Sequence, residues 1–293
     1  MVFGNETPSF TCRFLNESHF DLVLEKFLEA FSDYPHRFDF DSVRFRNHIN
    51  LNAVDLNRSV GCFHNGEMVG FTLNGFGDWN GMPTVYDAGT GVVPKMRRSG
   101  VSKTMFDFML PEFKAAGARQ LLLEVIVGNE PAVKLYKKLG FTVNRDLLLL
   151  EAPPDQKIMA RLNPDIDVRP VPAADLDHLT GGWDGNPSWQ NSNAAVKRSE
   201  PNKTILGAFL AGRFLGYIVF STGLGRIAQL YVDQRYRKQG VGTRLLAEMR
   251  ADMKPGSPMQ VLNIDKTLAW AVRFFKDLGF REVLAQHEMI KPL

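Results

Sequence analysis

One local pattern occurs twice in this 293-residue chain, and that repetition limits the folds open to it more than any other feature. The first copy, VYDAGTGVVPKMRRSGVSKTMFDFML, begins at Val85, and the second, RIAQLYVDQRYRKQGVGTRLLAEM, begins at Arg226. In each, an apolar, strand-like stretch runs into a basic, glycine-bearing loop, and the loop runs directly into an amphipathic helical pattern. A second element follows at matched distance: Asn129-Glu130-Pro131-Ala132-Val133-Lys134-Leu135-Tyr136 leads to Gly140-Phe141, and Ala271-Val272-Arg273-Phe274-Phe275 leads to Gly279-Phe280. From loop arginine to closing glycine is 43 residues in one copy (Arg97 to Gly140) and 42 in the other (Arg237 to Gly279). Two composite patterns kept in register indicate an internal duplication.

The chemistry of the loop follows from helix ends. A helix start leaves backbone N–H groups unpaired and carries partial positive charge, so an anion placed there meets donors and field together. Glycine removes the Cβ that would hold a phosphate away. The frame is Arg97, Gly100 and Ser102 in copy one and Arg237, Gly240 and Gly242 in copy two, with Arg98 and Lys238 adding charge. A single R-x-x-G-x-[GS] is a weak signal, since a basic residue near a helix-starting glycine is commonly a solvated turn. The matched downstream segments give it weight.

At these residues the chain resembles the GNAT superfamily of N-acetyltransferases. The family's Q/R-x-x-G-x-G/A loop corresponds to Arg97 through Ser102 and to Arg237 through Gly242, and its N-x-x-A-x-x-L-Y-x-x-x-G-F segment to Asn129 through Phe141. The resemblance implies an α/β fold of two tandem GNAT-like domains. Each would have a mostly antiparallel central sheet flanked by helices, with a splayed strand pair at the cofactor cleft. It implies acetyl-CoA as cosubstrate and transfer of its acetyl group to a primary amine by direct attack in a ternary complex. The residues it places on the cofactor are Val92, Val93, Arg97, Arg98, Ser99, Gly100, Val101, Ser102 and Asn129 in copy one. In copy two they are Val232, Arg237, Lys238, Gln239, Gly240, Val241 and Gly242. Copy one departs mildly, with Ser102 where Gly or Ala is usual. Copy two departs more, with Leu268 in place of the Asn and Phe275 in place of the Tyr.

Acyl transfer to an amine needs a neutral nucleophile, a donor to the developing oxyanion and help for the departing thiolate. Candidate bases are Glu124, on the strand before Asn129, and Asp87, on the strand before the basic loop; the bland reading of each is a solvated or salt-bridged carboxylate. Tyr136 is the candidate acid. A free phenol titrates near about 10 and a thiol near about 8.5, so a hydrogen bond to the developing thiolate is expected rather than full proton transfer. Packing alone also explains Tyr136, and helix capping alone explains Asn129. By spacing, Asn263 stands where Glu124 stands in copy one, so the second copy lacks both acid and base. Copy one is therefore expected to do the chemistry, and copy two to bind CoA without turnover or to act structurally. Tyr231, Tyr236 and His287 leave the reverse assignment open. A non-catalytic CoA-binding, sensing or scaffold protein with degenerate domains is the alternative, and a small-molecule or peptide binder a third class.

Composition bounds the rest. With 44% apolar and 23% charged residues and a net charge of +3, the chain reads as globular, with no nucleic-acid footprint. No apolar run spans a membrane, and MVFGNETPSF lacks the layout of a secretion signal, so a cytoplasmic location is expected. Cys12 and Cys62 read as buried free thiols, and no His/Cys cluster has metal-ligand spacing. The proline-bearing stretch 152–165 places the domain boundary at 153/154, with the two domains pairing within the chain and the oligomeric state open. Strands are expected at 10–15, 59–64, 68–76, 84–93, 121–127 and 147–151, and helices at 18–31, 101–116 and 131–139. The second half repeats this order with strands at 166–171, 205–211, 213–222, 226–232 and 259–264 and helices at 173–179 and 241–253. The acceptor wall is expected at Phe31 to Phe45, where Asp33, Asp39 and Asp41 offer charge to a small-molecule or peptide amine. The stretch from Gly181 to Asn202, poor in periodicity, reads as a loop over a site or as plain surface.

Overall fold

The computed structural model describes residues 9–34, 38–158, 163–179, 182–221 and 223–293. The N-terminal stretch 1–8, three residues of the expected acceptor wall (35–37), four of the expected linker (159–162), 180–181 and 222 lie outside the described residues. Two compact units emerge. Unit 1 comprises Met1–Glu124, Glu130–Thr142 and Met289–Leu293; unit 2 comprises Val125–Asn129 and Val143–Glu288. The units thus trade short segments, whereas the sequence suggested one cut at 153/154.

Unit 1 runs β1 (Thr11–Phe14), α1 (Phe20–Ala30), α2 (Ser42–Leu51), β2 (Val60–His64), β3 (Glu67–Trp79), β4 (Met82–Val92), α3 (Val101–Ala115), β5 (Gln120–Ile126) and α4 (Glu130–Lys138). The strand order is β1-β2-β3-β4-β5, antiparallel except for the β4–β5 pair. The Asn65-Gly66 turn joins β2 to β3 with φ of 50° and 83°, the left-handed pair that a two-residue hairpin favours. Asp41 caps α2 by accepting from the Arg44 N–H at 2.7 Å. α1 buries Val23, Phe27 and Ala30, spaced at i, i+4 and i+7. Phe27 is the hub of this side, with ring contacts to Phe31, Phe38, Phe40, Phe45 and Phe71. α3 covers the other face with Met105, Phe106, Met109 and Phe113.

Unit 2 runs β6 (Thr142–Ala152), β7 (Asp167–Pro170), α5 (Leu176–Leu179), α6 (Asn193–Arg198), β8 (Thr204–Leu210), β9 (Arg213–Ser221), β10 (Arg226–Val232), α7 (Val241–Asp252), β11 (Met259–Asp265), α8 (Ala269–Asp277) and β12 (Arg281–Pro292). Its strand order is β12-β6-β11-β10-β9-β8-β7, with β10–β11 parallel. Its core gathers Leu150, Ile218, Phe220, Leu245, Met249 and Phe280, among others.

The parallel pair in each unit is short. β4 and β5 pair only from Thr84–Gln120 to Asp87–Leu123 and then diverge. β10 and β11 pair only at Arg226–Gln260 and Ile227–Val261. Both units therefore contain the splayed strand pair that the sequence led us to expect.

Candidate active site

The two basic loops share one backbone conformation. Each begins with a single 3₁₀ turn, Pro94–Met96 or Gln234–Tyr236, and ends on the glycine before α3 or α7. Arg98 (φ 65°) and Gly100 (φ 97°) are left-handed in the first, and Lys238 (φ 59°) and Gly240 (φ 84°) in the second. Left-handed residues within such a turn direct successive N–H groups to one side, an anion-binding concavity at a helix N-terminus. Apart from the adjoining backbone and its two chain neighbours, no heavy atom lies within 4 Å of where a Cβ on Gly100 would stand, so that side of the loop is open. Ser99 is held by its hydroxyl donating to the Met96 carbonyl at 2.6 Å, and Gln239 donates to the Arg235 carbonyl at 3.1 Å. Val101, Val241 and Gly242 are buried and Ser102 is half-buried, anchoring the first helical turns beneath the loops.

The loop arginines are engaged elsewhere. Arg97 sends its guanidinium fork to Asp33 at 2.6 and 2.8 Å and to the Ala30 carbonyl at 2.8 Å. Arg237 does the same with Asp184, at 2.6 and 3.3 Å, and its Nε donates to the Val232 carbonyl at 2.9 Å. These side chains brace the loops, and Arg98 and Lys238 stand exposed beside them. The backbone donors also separate. The Val93 N–H donates to the Val69 carbonyl at 3.0 Å and is held in the sheet. By the alternation of an antiparallel ladder, the Val92 N–H, opposite Gly70, faces away from β3 and into the splay. Asp233 N–H to the Leu215 carbonyl, at 2.9 Å, gives Val232 the same direction in unit 2.

In unit 1 the opening between β4 and β5 holds a carboxyl and a phenol. Asp87, 6% exposed, closes the paired stretch. A bulge at Ala88, between the Asn74–Asp87 and Leu73–Gly89 pairs, shifts the strand's phase. Asp87 then accepts from the Gly89 N–H at 3.0 Å, from the Thr90 hydroxyl at 2.6 Å and from Tyr136 at 3.5 Å. Burial pushes its carboxyl up to about 6, outweighing those three donors. Burial, then the nearby Asp87 charge, pushes the Tyr136 phenol well above its ordinary range, so it stays protonated. Gly91 permits a close approach on the same strand: a Cβ there would stand 2.5 Å from the Phe71 ring.

Glu124 lies on the opposite face. It follows Leu123, the partner of Asp87, and strand side chains alternate. There it accepts from the Tyr86 hydroxyl at 2.5 Å. On the same side His48 of α2 reaches the Ala88 carbonyl with Nε2 at 3.1 Å, and burial holds its imidazole down at about 4. The sequence reading gathered Asp87, Tyr136 and Glu124 at one site; the structure joins the first two and separates the third by the thickness of the strand. Asn129 lies in the short segment that groups with unit 2. The three acceptor-wall carboxylates already have arginine partners: Asp33 meets Arg97, while Asp39 and Asp41 meet Arg44.

Unit 2 fills the same opening differently. Ile227, fully buried, stands at the closing pair where unit 1 has Asp87. The register puts Leu262 one residue past that pair, where unit 1 has Glu124. The assignment of that place to Asn263 by spacing is therefore off by one, because β11 carries an irregularity between Val261 and Ile264. Phe275 packs on Phe280 at 5.1 Å as Tyr136 packs on Phe141 at 5.6 Å, without the hydroxyl. The segment 182–193 straps the splay. Asn191 accepts from the Gln229 amide of β10 at 2.6 Å and donates to the Leu262 carbonyl of β11 at 2.8 Å, bridging the parted strands. Asn263 donates to Ser188 at 3.3 Å. Arg145 fastens the strap to its neighbours: Nε and one terminal nitrogen grip Glu288 at 2.9 Å, and the other terminal nitrogen reaches Asp265 at 3.1 Å and the Asn186 carbonyl at 2.6 Å. A cavity of about 140 Å³ remains, lined by Trp183, Tyr231, Asp265, Leu268 and Trp270 among others. Of the other residues considered for a differently built site, Tyr236 accepts from Arg213 at 2.8 Å and His287 pairs with Asp146 at 2.8 Å.

Sequence similarity accords with this geometry. Residues 17–141 match the acetyltransferase (GNAT) family model and residues 186–290 the acetyltransferase (GNAT) domain model. The chain belongs to the GNAT acetyltransferase family, with two GNAT domains in tandem. It is 34% identical over 85 residues to an N-alpha-acetyltransferase of Sulfurisphaera tokodaii, an alignment covering 26% of this chain and 51% of that relative, about half its length. Its fold resembles a GCN5-related N-acetyltransferase from Sphaerobacter thermophilus, with a TM-score of 0.72, 13% identity and coverage of 97% of this chain and 95% of the other. It also resembles a tandem GNAT protein from the clavulanic acid biosynthesis pathway, with a TM-score of 0.73, 13% identity and coverage of 97% and 98%. No described helix is long and apolar enough to cross a membrane.

Proposed function

We propose that the chain is an N-acetyltransferase in which unit 1 moves the acetyl group of acetyl-CoA to a primary amine by direct attack in a ternary complex, while unit 2 is its non-catalytic partner. The observation that carries this reading is the buried Asp87–Tyr136 pair in the β4–β5 splay, on the strand that leads into the open α3 cradle. The cradle suits a diphosphate: its N–H groups converge, the Gly100 side is open and Arg98 is exposed. Acetyl-CoA, when bound, supplies the thioester carbon. The Val92 N–H faces the splay and supplies an oxyanion donor.

The two faces divide the proton work. Glu124, held by Tyr86, takes the proton of the attacking amine. Tyr136, kept neutral by burial and held by packing on Phe141, turns its one O–H from Asp87 to the departing sulfur as thiolate charge develops. For unit 2, the Asn191 bridge together with Ile227 and Phe275 supports a binding or structural role. Protein N-termini, the acceptor suggested by the name of the Sulfurisphaera relative, come first in a panel with lysine, polyamines and aminoglycosides.

The test is Tyr136→Phe, which keeps the packing and removes only the hydroxyl. Thiol release should fall by about tenfold or more, with CoA affinity by calorimetry unchanged within about twofold, since a positioned acid contributes roughly 10² to 10⁴ in rate. Full activity in that variant would move catalysis out of unit 1.

A further inference from the structure

The chain has two cysteines, 50 residues apart in sequence, and the sheet sets them face to face. In the β1–β2 ladder Cys12 is the direct partner of Cys62. The Leu15 N–H donates to the Ser59 carbonyl at 2.9 Å in the same register, which makes Leu15–Ser59 a hydrogen-bonded pair. By alternation Arg13–Gly61 is the next such pair, and Cys12–Cys62 is a non-hydrogen-bonded one, the kind whose side chains stand closest. Facing residues of such a pair have Cα separations of about 4.5 Å, within the range a disulfide spans.

The two thiols are unequal. Cys12 is half-buried on a four-residue strand that lies at the end of its sheet, and Cys62 is fully buried. A hydrogen bond from Cys62 lowers the Cys12 thiol below its ordinary range, whereas that contact and burial push Cys62 up. Both side chains face α3. Phe14, two residues from Cys12, meets Phe108 at 5.1 Å, and a Cβ on Gly70, the partner of Cys62, would stand 2.6 Å from Val101.

We propose that Cys12 and Cys62 form a thiol–disulfide exchange site that takes a low-molecular-weight disulfide and closes reversibly into an intrachain cross-link. The Cys12 thiolate attacks one sulfur of the small disulfide RSSR, forming a mixed disulfide and releasing RS⁻, which takes up the proton Cys12 lost. The Cys62 sulfur then attacks Cys12 Sγ, expelling the second RS⁻, which takes the Cys62 proton. In sum, two protein thiols are oxidised to one disulfide and RSSR is reduced to two RSH. The ring so closed contains residues 13–61, hence both α1 and α2, the helices that border the Glu124 face. Cross-linking restrains that whole segment in the unfolded chain.

The experiment uses the full reduced chain and oxidised glutathione as probe. Intact mass should fall by about 2 Da with no glutathione retained, peptide mapping should join Cys12 to Cys62, dithiothreitol should reverse both, and the Tm of the oxidised form should rise by about 5 °C or more. In Cys62→Ala the reaction should stop at one glutathione adduct on Cys12. A parent chain that stays unmodified, that halts at the Cys12 adduct, or that cross-links only in denaturant would overturn the proposal. The mass reading on the parent needs no variant to fold.

Discussion

In unit 1 the strands part after Asp87 and Leu123, and a buried carboxyl and phenol stand in the opening; in unit 2 they part after Ile227 and Val261, and the chain's own Asn191 spans the gap. The cradles beside the two openings are nearly the same, down to the left-handed residues at Arg98 and Lys238. The loop conformation is thus not what distinguishes the units. The difference lies in which side chains reach the opening, and that depends on residues far from either loop.

The largest expected effect comes from undoing the clamp that holds the strap. Arg145→Met leaves the fully buried Glu288 carboxylate without its guanidinium and should cost about 3–5 kcal/mol, read from denaturant midpoints. If the loss is small, the strap is not held by this pairing and its closure of the unit 2 opening is incidental.

Asp87→Asn tests the price of the charged group in unit 1, which Ile227 spares unit 2. Burial raises the folded carboxyl to about 6, above its ordinary value of 3.8, so between the two the unfolded chain releases a proton that the folded chain keeps. Stability therefore falls as pH rises through this window, by about 3 kcal/mol in all, and stays reduced above it. The Asn variant should match the parent near the acid end of the window and exceed it at neutral pH and above, with a Tm difference that grows with pH. A difference independent of pH would mean Asp87 carries its charge in water-like surroundings.

A valine at Gly100 or Gly240 must adopt a left-handed backbone that β-branched residues resist, and it intrudes on the cradle. Gly100→Val should raise the KM for acetyl-CoA by about tenfold or more, while Gly240→Val should leave turnover within about twofold. Circular dichroism confirms that each variant is folded. Equal losses would make unit 2 a participant in the reaction.

Legibility followed the range of the forces involved. The Asn65-Gly66 hairpin and the α1 and α3 helices were readable because turn residues and apolar spacing act within a few positions. α2 was not anticipated: its apolar stripe is only Phe45 and Ile49, with Val43 exposed, so packing against Phe27 rather than pattern decides it. β12 was also missed, since its alternation is weak over twelve residues. The sequence reading placed Arg97 on phosphate and Asp33 near the amine, and it did not foresee that these two side chains pair with each other.

Local pattern was enough for the duplicated strand–loop–helix and the family, because steric limits on a few consecutive dihedrals fix a loop wherever it occurs. Which face a carboxylate takes, and what enters each opening, came from long-range packing and register. A bulge at Ala88 puts Asp87 beside Thr90 and Tyr136, one strand register brings Cys12 to Cys62, and a strap anchored at Arg145 carries Asn191 across β10 and β11. Side-chain direction reverses with every residue along a strand, so a single-residue change of phase, invisible to local pattern, reassigns the chemistry of a site.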